Sequence, residues 1–212
     1  LCAAPGTDAE LSMDSTSIKA SAQAGRGKES EQNSDIKHIG KTRGGLNTKI
    51  HAIVGKDLRP VAFLLSAGNV DDCTEAVSLL KLLPALKDCD ILADKAYGTK
   101  EIRTYLHDQS ASYTIPPKVN TKQPWPFDEE TYKRRNVIER FFNRLKKFRR
   151  AETRYDKRDD SFLALYGRLD LRRFRHFAQL SAVFRYTLVQ KLLDDFEGHA
   201  SVFLLSVAGM ER

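Results

Sequence analysis

Apolar residues along the chain come in short runs whose spacing shifts from about two residues in the first half to about 3.6 in the second. "ELSMDST" alternates weakly and predicts a short strand ending near Asp14. The stretch "SIKASAQAGRGKESEQNSDIKHIGKTRGG" is almost devoid of apolar residues and predicts a polar loop over residues 19–45. A loop of that length inside a compact domain is usually functional or mobile. "TKIHAIV" and "RPVAFLLS" predict two strands joined in a hairpin by "GKDLR". "NVDDCTEAVSLLKLLPAL", with acids early and apolar residues at helical spacing, predicts a helix. "CDILADKAY" predicts a buried strand whose apolar run stops at Asp94, "TKEIRTYLHDQS" a helix, and "SYTIPP" a strand stopped by Pro116 and Pro117. After the Pro-broken connector "KVNTKQPWPF", one long helix is predicted from about Asp128 to Arg150, with further helical periodicity beyond it. This order of elements predicts an α/β fold, a sheet with helices on its faces.

The long helix sorts its residues by angle. At about 100° per residue, Tyr132, Arg135, Asn143, Lys146 and Arg150 fall within roughly 40° of the line through Glu139. Val137, Phe141, Leu145 and Phe148 fall opposite, flanked by Ile138 and Phe142, and form the stripe that packs on a sheet. Glu139 is thereby directed away from the core into a groove walled by cations. A plainer reading pairs Glu139 along the helix with Arg135 or Asn143.

Charge changes the picture next. Lys and Arg number 35 against 28 Asp and Glu, and residues 115–158 hold fourteen basic and six acidic residues, which accounts for the whole surplus. A one-sided cluster of this kind fits a phosphate-backbone partner, because neutralising phosphates releases counterions. At 212 residues the chain suits one sizeable domain with a small appendage. Cys2, Cys73 and Cys89 show neither close pairing nor zinc-ligand spacing, which fits a reducing compartment. The longest apolar stretch, "ASVFLLSVA", is far below the roughly 20 residues that span a bilayer, and "LCAAPGTDAE" lacks a basic n-region. A soluble, cytoplasmic protein with no membrane partner is the expectation.

Two further acids keep company with Glu139. Asp14 and Asp94 each close a strand-like run, the place where open α/β sheets carry functional groups. Each also has a plainer reading, Asp94 as a helix N-cap and Asp14 as a turn residue in "DST". Together with Glu139 they form an oxygen donor set suited to Mg²⁺ or Mn²⁺.

The spacing Tyr132-x2-Arg135-x3-Glu139-x6-Lys146, with "MDST", "IGKTRGGLNTKIHAIV", "ADKAYG" and "RNVIERFFNRLKKFRRAETRYDK", resembles the DDE transposases of bacterial insertion sequences, in the broad family called "IS five". The resemblance covers about Leu11 to Leu165 and corresponds to the catalytic, C-terminal portion of such a protein. It implies a ribonuclease-H-like mixed sheet flanked by helices, with catalytic and metal-holding roles for Asp14, Asp94 and Glu139. It further implies two Mg²⁺ (or Mn²⁺) ions, cleavage of DNA strands at the element's terminal inverted repeats, and joining of those ends to target DNA. Tyr132, Arg135, Lys146 and Arg150 are the expected DNA contacts, with Arg43, Lys95 and Lys49 as weaker ones. His51 is expected to be structural, and Trp125 either stacks on a base or anchors its loop. A homodimer on DNA is one assembly the resemblance allows, and association with the nucleoid would follow from the substrate.

The chain departs from that family in two places. Almost nothing precedes the first Asp, so residues 1–10 are read as a remnant of an upstream region, and the chain as one frame of a split gene or a truncated copy. After "RYDKRDDSFLAL" an apolar closing helix is expected, yet the chain reads "YGRLDLRRFRHF", so residues 166–212 are read as a divergent, frameshifted helical tail. The rival to an active transposase is therefore a catalytically silent remnant that binds element ends. A nuclease of the same fold with no joining step is a third reading.

Overall fold

The computed structural model describes residues 9–24 and 38–173. The chain divides into two compact units, Ala3–Leu169 and Leu1–Cys2 with Asp170–Arg212. Expectations for residues 1–8, for most of the polar loop and for the tail beyond 173 lie outside the described residues. The larger unit carries everything that follows.

Among the described residues, seven strands form one sheet: β1 (Glu10–Ala20), β2 (Gly40–Thr42), β3 (Gly45–Gly55), β4 (Pro60–Ala67), β5 (Asp90–Ala93), β6 (Ser112–Thr114) and β7 (Thr153–Arg154). Strands β1, β3 and β4 form an antiparallel meander, and β5 and β6 continue from β1 in parallel. The five main strands lie in the order β4-β3-β1-β5-β6; β2 extends the β4 edge of β3, and β7 runs parallel beside the far end of β1. Three antiparallel strands followed by parallel ones on the other side of β1 give the mixed, ribonuclease-H-like sheet.

Strand alternation divides the sheet into two faces. Leu11 and Met13 of β1, Ile53 of β3 and Ile91 and Ala93 of β5 are buried with α1 (Ala76–Leu80) and α2 (Lys100–Asp108). Ile18, Ile50, Ala52 and Val54 point the other way. They pack against α4 (Asn136–Leu145) and α6 (Asp159–Arg173), which follow the short α3 (Glu129–Lys133) and α5 (Arg149–Glu152) in the chain. The buried side chains of α4 are Val137, Ile138, Phe141, Phe142 and Leu145, as the angular analysis expects. Each contributes about 1.5–3 kcal/mol of burial and together they fix the orientation of the helix.

Four expectations need correction. β1 does not end near Asp14 but runs to Ala20, because β3 pairs with it continuously from Leu11 to Lys19. The polar loop is accordingly shorter than 19–45, and Gly40 to Gly45 is claimed by the β2–β3 hairpin, whose tip is Arg43 and Gly44. The helix expected over 128–150 is three pieces. Around Arg135 the chain keeps helical angles but tightens, with Arg134, Arg135, Val137 and Ile138 each donating to a carbonyl three residues back. Phe148 is extended and breaks the path, so Arg150 belongs to α5 and does not continue the Glu139 stripe. Likewise "NVDDCTEAVSLLKLLPAL" supplies only a 3₁₀ turn (Asp72–Glu75) and the five residues of α1. No helix among the described residues is long and apolar enough to cross a membrane.

Candidate active site

The β1–β5 ladder sets the site. Its last pair is Met13 with Ala93, so Asp14 and Asp94 follow at the same level on neighbouring parallel strands. Alternation turns both toward the α4 face, since Met13 and Ala93 are committed to the opposite core. Asp14 is thus not at a strand end but at the point where the neighbouring strand leaves. Its Oδ1 accepts from the Ser15 amide at 2.8 Å. Asp94 caps the 3₁₀ turn Lys95–Tyr97, its Oδ1 accepting from the Lys95 amide at 2.7 Å; the helix after "KAYG", which it is expected to cap, is capped instead by Thr99.

The segment leading into α4 reaches both aspartates. Tyr132 Oη donates to Asp94 Oδ1 at 3.5 Å. Arg135 Nη1 donates to Asp14 Oδ2 at 3.0 Å, and its Nη2 donates to Glu139 Oε1. The tightened turn explains this access, because 3₁₀ geometry eclipses residues three apart. It brings Arg135 over the Tyr132 ring, 5.6 Å from its centroid, while Phe127 meets the same ring edge-on. One guanidinium therefore ties Glu139 on the helix to Asp14 on the strand. The plain i,i+4 pairing of Glu139 with Arg135 is present, but it is half of a bridge.

Burial raises the Asp14 carboxyl above its ordinary range; the Ser15 amide and Arg135 pull it down, and the charges of Asp72 and Asp94 push it further up. For Arg135, burial is outweighed by Tyr132, Asp14 and Glu139, and its pKa is raised. Oxygen donors of this kind match a hard divalent cation. Among the described residues, however, no three acid, histidine or cysteine groups stand together as a metal cage. Arg135 already engages two of the carboxylates.

The other expected DNA contacts are dispersed. Lys146 is exposed at the C-terminal end of α4, Lys95 is exposed directly after Asp94, and Arg43 is exposed at the hairpin tip. Arg150 pairs with Asp156 at 3.1 Å. Lys49 is committed to Asp72 Oδ1 at 2.9 Å and to the Val70 carbonyl at 2.6 Å. Trp125 is an anchor: Nε1 donates to the Ile115 carbonyl at 2.8 Å, and Arg103 lies 3.9 Å over the ring. A Cβ at Gly98 would come within 3.1 Å of that ring, so the connector is fastened against the turn that begins at Asp94. His51 is buried on the α1 face, its Nε2 2.7 Å from Ser66 Oγ.

A model of the "Transposase DDE domain" family matches residues 5–169. The chain belongs to that family. It is 34% identical over 120 residues to the Brucella ovis protein named "Putative transposase for insertion sequence element IS6501", covering 56% of this chain and 90% of that relative. Among solved structures, a piggyBac transposase synaptic complex with hairpin DNA is 12% identical with a TM-score of 0.47, covering 84% of this chain and 48% of the other. A simian T-cell lymphotropic virus intasome in complex with the PP2A regulatory subunit B56 gamma is 14% identical with a TM-score of 0.36, covering 87% and 49%. The chain spans about half the length of these two structures.

Within this transposase domain, one neighbour of the site escaped sequence reading. Asp72 borders Asp14 from behind. Burial alone would raise its carboxyl, but hydrogen bonds from Lys49 and Ser15 bring it below the usual value. Its acid pair in "GNVDDC" reads as the start of a helix, and nothing local connects it to Lys49. Gly68 makes the connection: it donates to the Asn47 carbonyl at 3.0 Å, and a Cβ there would strike that oxygen at 2.8 Å. Tyr97, just beyond Asp94, is buried beneath the same group, its hydroxyl pKa raised by burial with Asp14 and Asp72 adding to it.

Proposed function

We propose that this transposase-family chain cleaves DNA strands at the ends of an insertion sequence and joins them to target DNA, with Asp14, Asp94 and Glu139 as the metal-holding carboxylates. The observation that carries the reading is the common level of Asp14 and Asp94 on adjacent parallel strands, with Glu139 brought to Asp14 through Arg135. The Asp14 carboxyl, raised first by burial and further by Asp72 and Asp94, fits a site that gains by accepting cations.

When bound, two Mg²⁺ or Mn²⁺ ions would supply activation of a water or 3′-hydroxyl and stabilisation of the leaving oxygen in an in-line displacement. Asp14 and Asp94 would hold them at a position fixed by the sheet, and Glu139 would complete the set from the helix. Tyr132 and Arg135 border the carboxylates and would orient the scissile phosphodiester, Arg135 by its two-pronged guanidinium. Lys146, Lys95, Arg43 and Arg150 would contribute backbone attraction from the periphery, with a corresponding salt dependence.

The test is a strand-cleavage and strand-transfer assay with Mn²⁺ and a duplex taken from the DNA flanking the coding region. Asp14→Asn, Asp94→Asn and Glu139→Gln should each reduce cutting to background while retaining DNA binding. Cutting by Glu139→Gln at the wild-type rate would overturn the assignment. A silent remnant would bind this duplex and cut it in no form of the protein.

A further inference from the structure

We infer that Arg135 is the built-in counter-cation of the carboxylate site, engaged by Asp14 and Glu139 in the DNA-free protein and exchanged for a divalent ion when one enters. The inference rests on the metal-holding reading of those carboxylates. Arg135 has a side chain only 15% exposed and spends separate nitrogens on Asp14 Oδ2 and Glu139 Oε1. Those are oxygens a cation would need from the same two residues.

Exchange has a consequence for recognition. A divalent ion beside a guanidinium is repelled, so ion entry frees Arg135, still supported by the Tyr132 ring, to meet a phosphate. Ion and DNA then strengthen each other's binding by the same factor, because coupling between sites is reciprocal. The released arginine makes the basic surface at the site dependent on the ion already being in place.

Mn²⁺ binding to the DNA-free full chain, followed by electron paramagnetic resonance of the free ion, separates the possibilities. Arg135→Ala should bind Mn²⁺ about tenfold more tightly than wild type, within the usual range of coupling. Arg135→Lys should fall between them, because an ammonium group is a point charge without the planar fork that spans two carboxylates. In wild type, Mn²⁺ should also tighten binding of the flanking-DNA duplex, and Arg135→Ala should lose that gain. If Asp14→Asn and Glu139→Gln weaken Mn²⁺ binding but Arg135→Ala and Arg135→Lys leave it unchanged or weaker, the counter-cation role is wrong and the metal site stands. If Asp14→Asn and Glu139→Gln leave it unchanged, the metal site is wrong and the exchange falls with it. Should circular dichroism show Arg135→Ala to be unfolded, Arg135→Lys decides with the same sign.

Discussion

Two arginines stand beside β1, and their surroundings differ in kind. Arg154, in β7 next to Lys19 and Ala20, is fully buried. It donates to the carbonyls of Asp156 and Lys157, to Thr48 Oγ1 and to Asp159 Oδ1, and lies 5.0 Å over the Phe162 ring. Asp159 is in turn bonded to His38. Arg135, by contrast, faces two side-chain carboxylates, one of which, Glu139, is half exposed. The main-chain partners of Arg154 cannot leave without unfolding the segment. The partners of Arg135 can turn to another cation. A buried polar group closed by backbone belongs to the architecture, whereas one closed by side-chain carboxylates is available to chemistry.

The sharpest break of this contrast is Arg154→Ala, expected to cost about 3–5 kcal/mol, as when one partner of a buried pair is removed. Arg135→Ala should cost less, about 1–3 kcal/mol, since Glu139 is half exposed and only Asp14 is left part-buried without its partner. Equal losses in urea denaturation would erase the distinction. His51 belongs with Arg154. Burial lowers its pKa from 6.5 to about 4, against the pull of Asp72, so folding favours the neutral ring. The stabilisation is complete above pH 6.5 and is lost as pH falls toward 4, by about 3 kcal/mol. The carboxyls lowered on folding, Asp72 and Asp159, titrate below that window. His51→Gln should therefore flatten the stability profile between pH 6.5 and 4; an unchanged slope there would exclude His51 as its source. Trp125→Phe removes the bond to Ile115 and should cost about 1 kcal/mol, read as a lower melting temperature. The smallest effect is expected for Glu139→Gln, within about 0.5 kcal/mol of wild type in the same melt, because the residue serves the site and not the core.

The apolar stripe of α4 was legible because a helix records its buried face in local spacing, and Asp94 because the apolar run stops there. The true extent of β1 was hidden, since it depends on pairing with β3, some thirty residues onward in sequence. The break at Phe148 was hidden too: an apolar residue at the expected angle gives no sign that its backbone is extended. Asp72 and the Arg154–Asp159–His38 group are assembled from segments that only the sheet brings together. Helical spacing places Tyr132, Arg135 and Glu139 on one side but carries no sign that Arg135 spans to a strand more than a hundred residues earlier.

The edge of β1 opposite β3 is shared by β5 at one end and β7 at the other, with no strand along it between Asp14 and Ile18 among the described residues. The whole passage from Asp94 to Glu152 is thus a detour that leaves this edge at one acid and rejoins it beside Arg154. Both ends of the detour are pinned by strand pairing, and Tyr132, Arg135 and Glu139 lie on its returning limb. The connector at its far point can change length at small entropic cost, which grows only with the logarithm of loop size. The molecule therefore separates what must stay constant from what can drift: new surface can be added in the detour while the distance between its two pinned ends is held by the sheet.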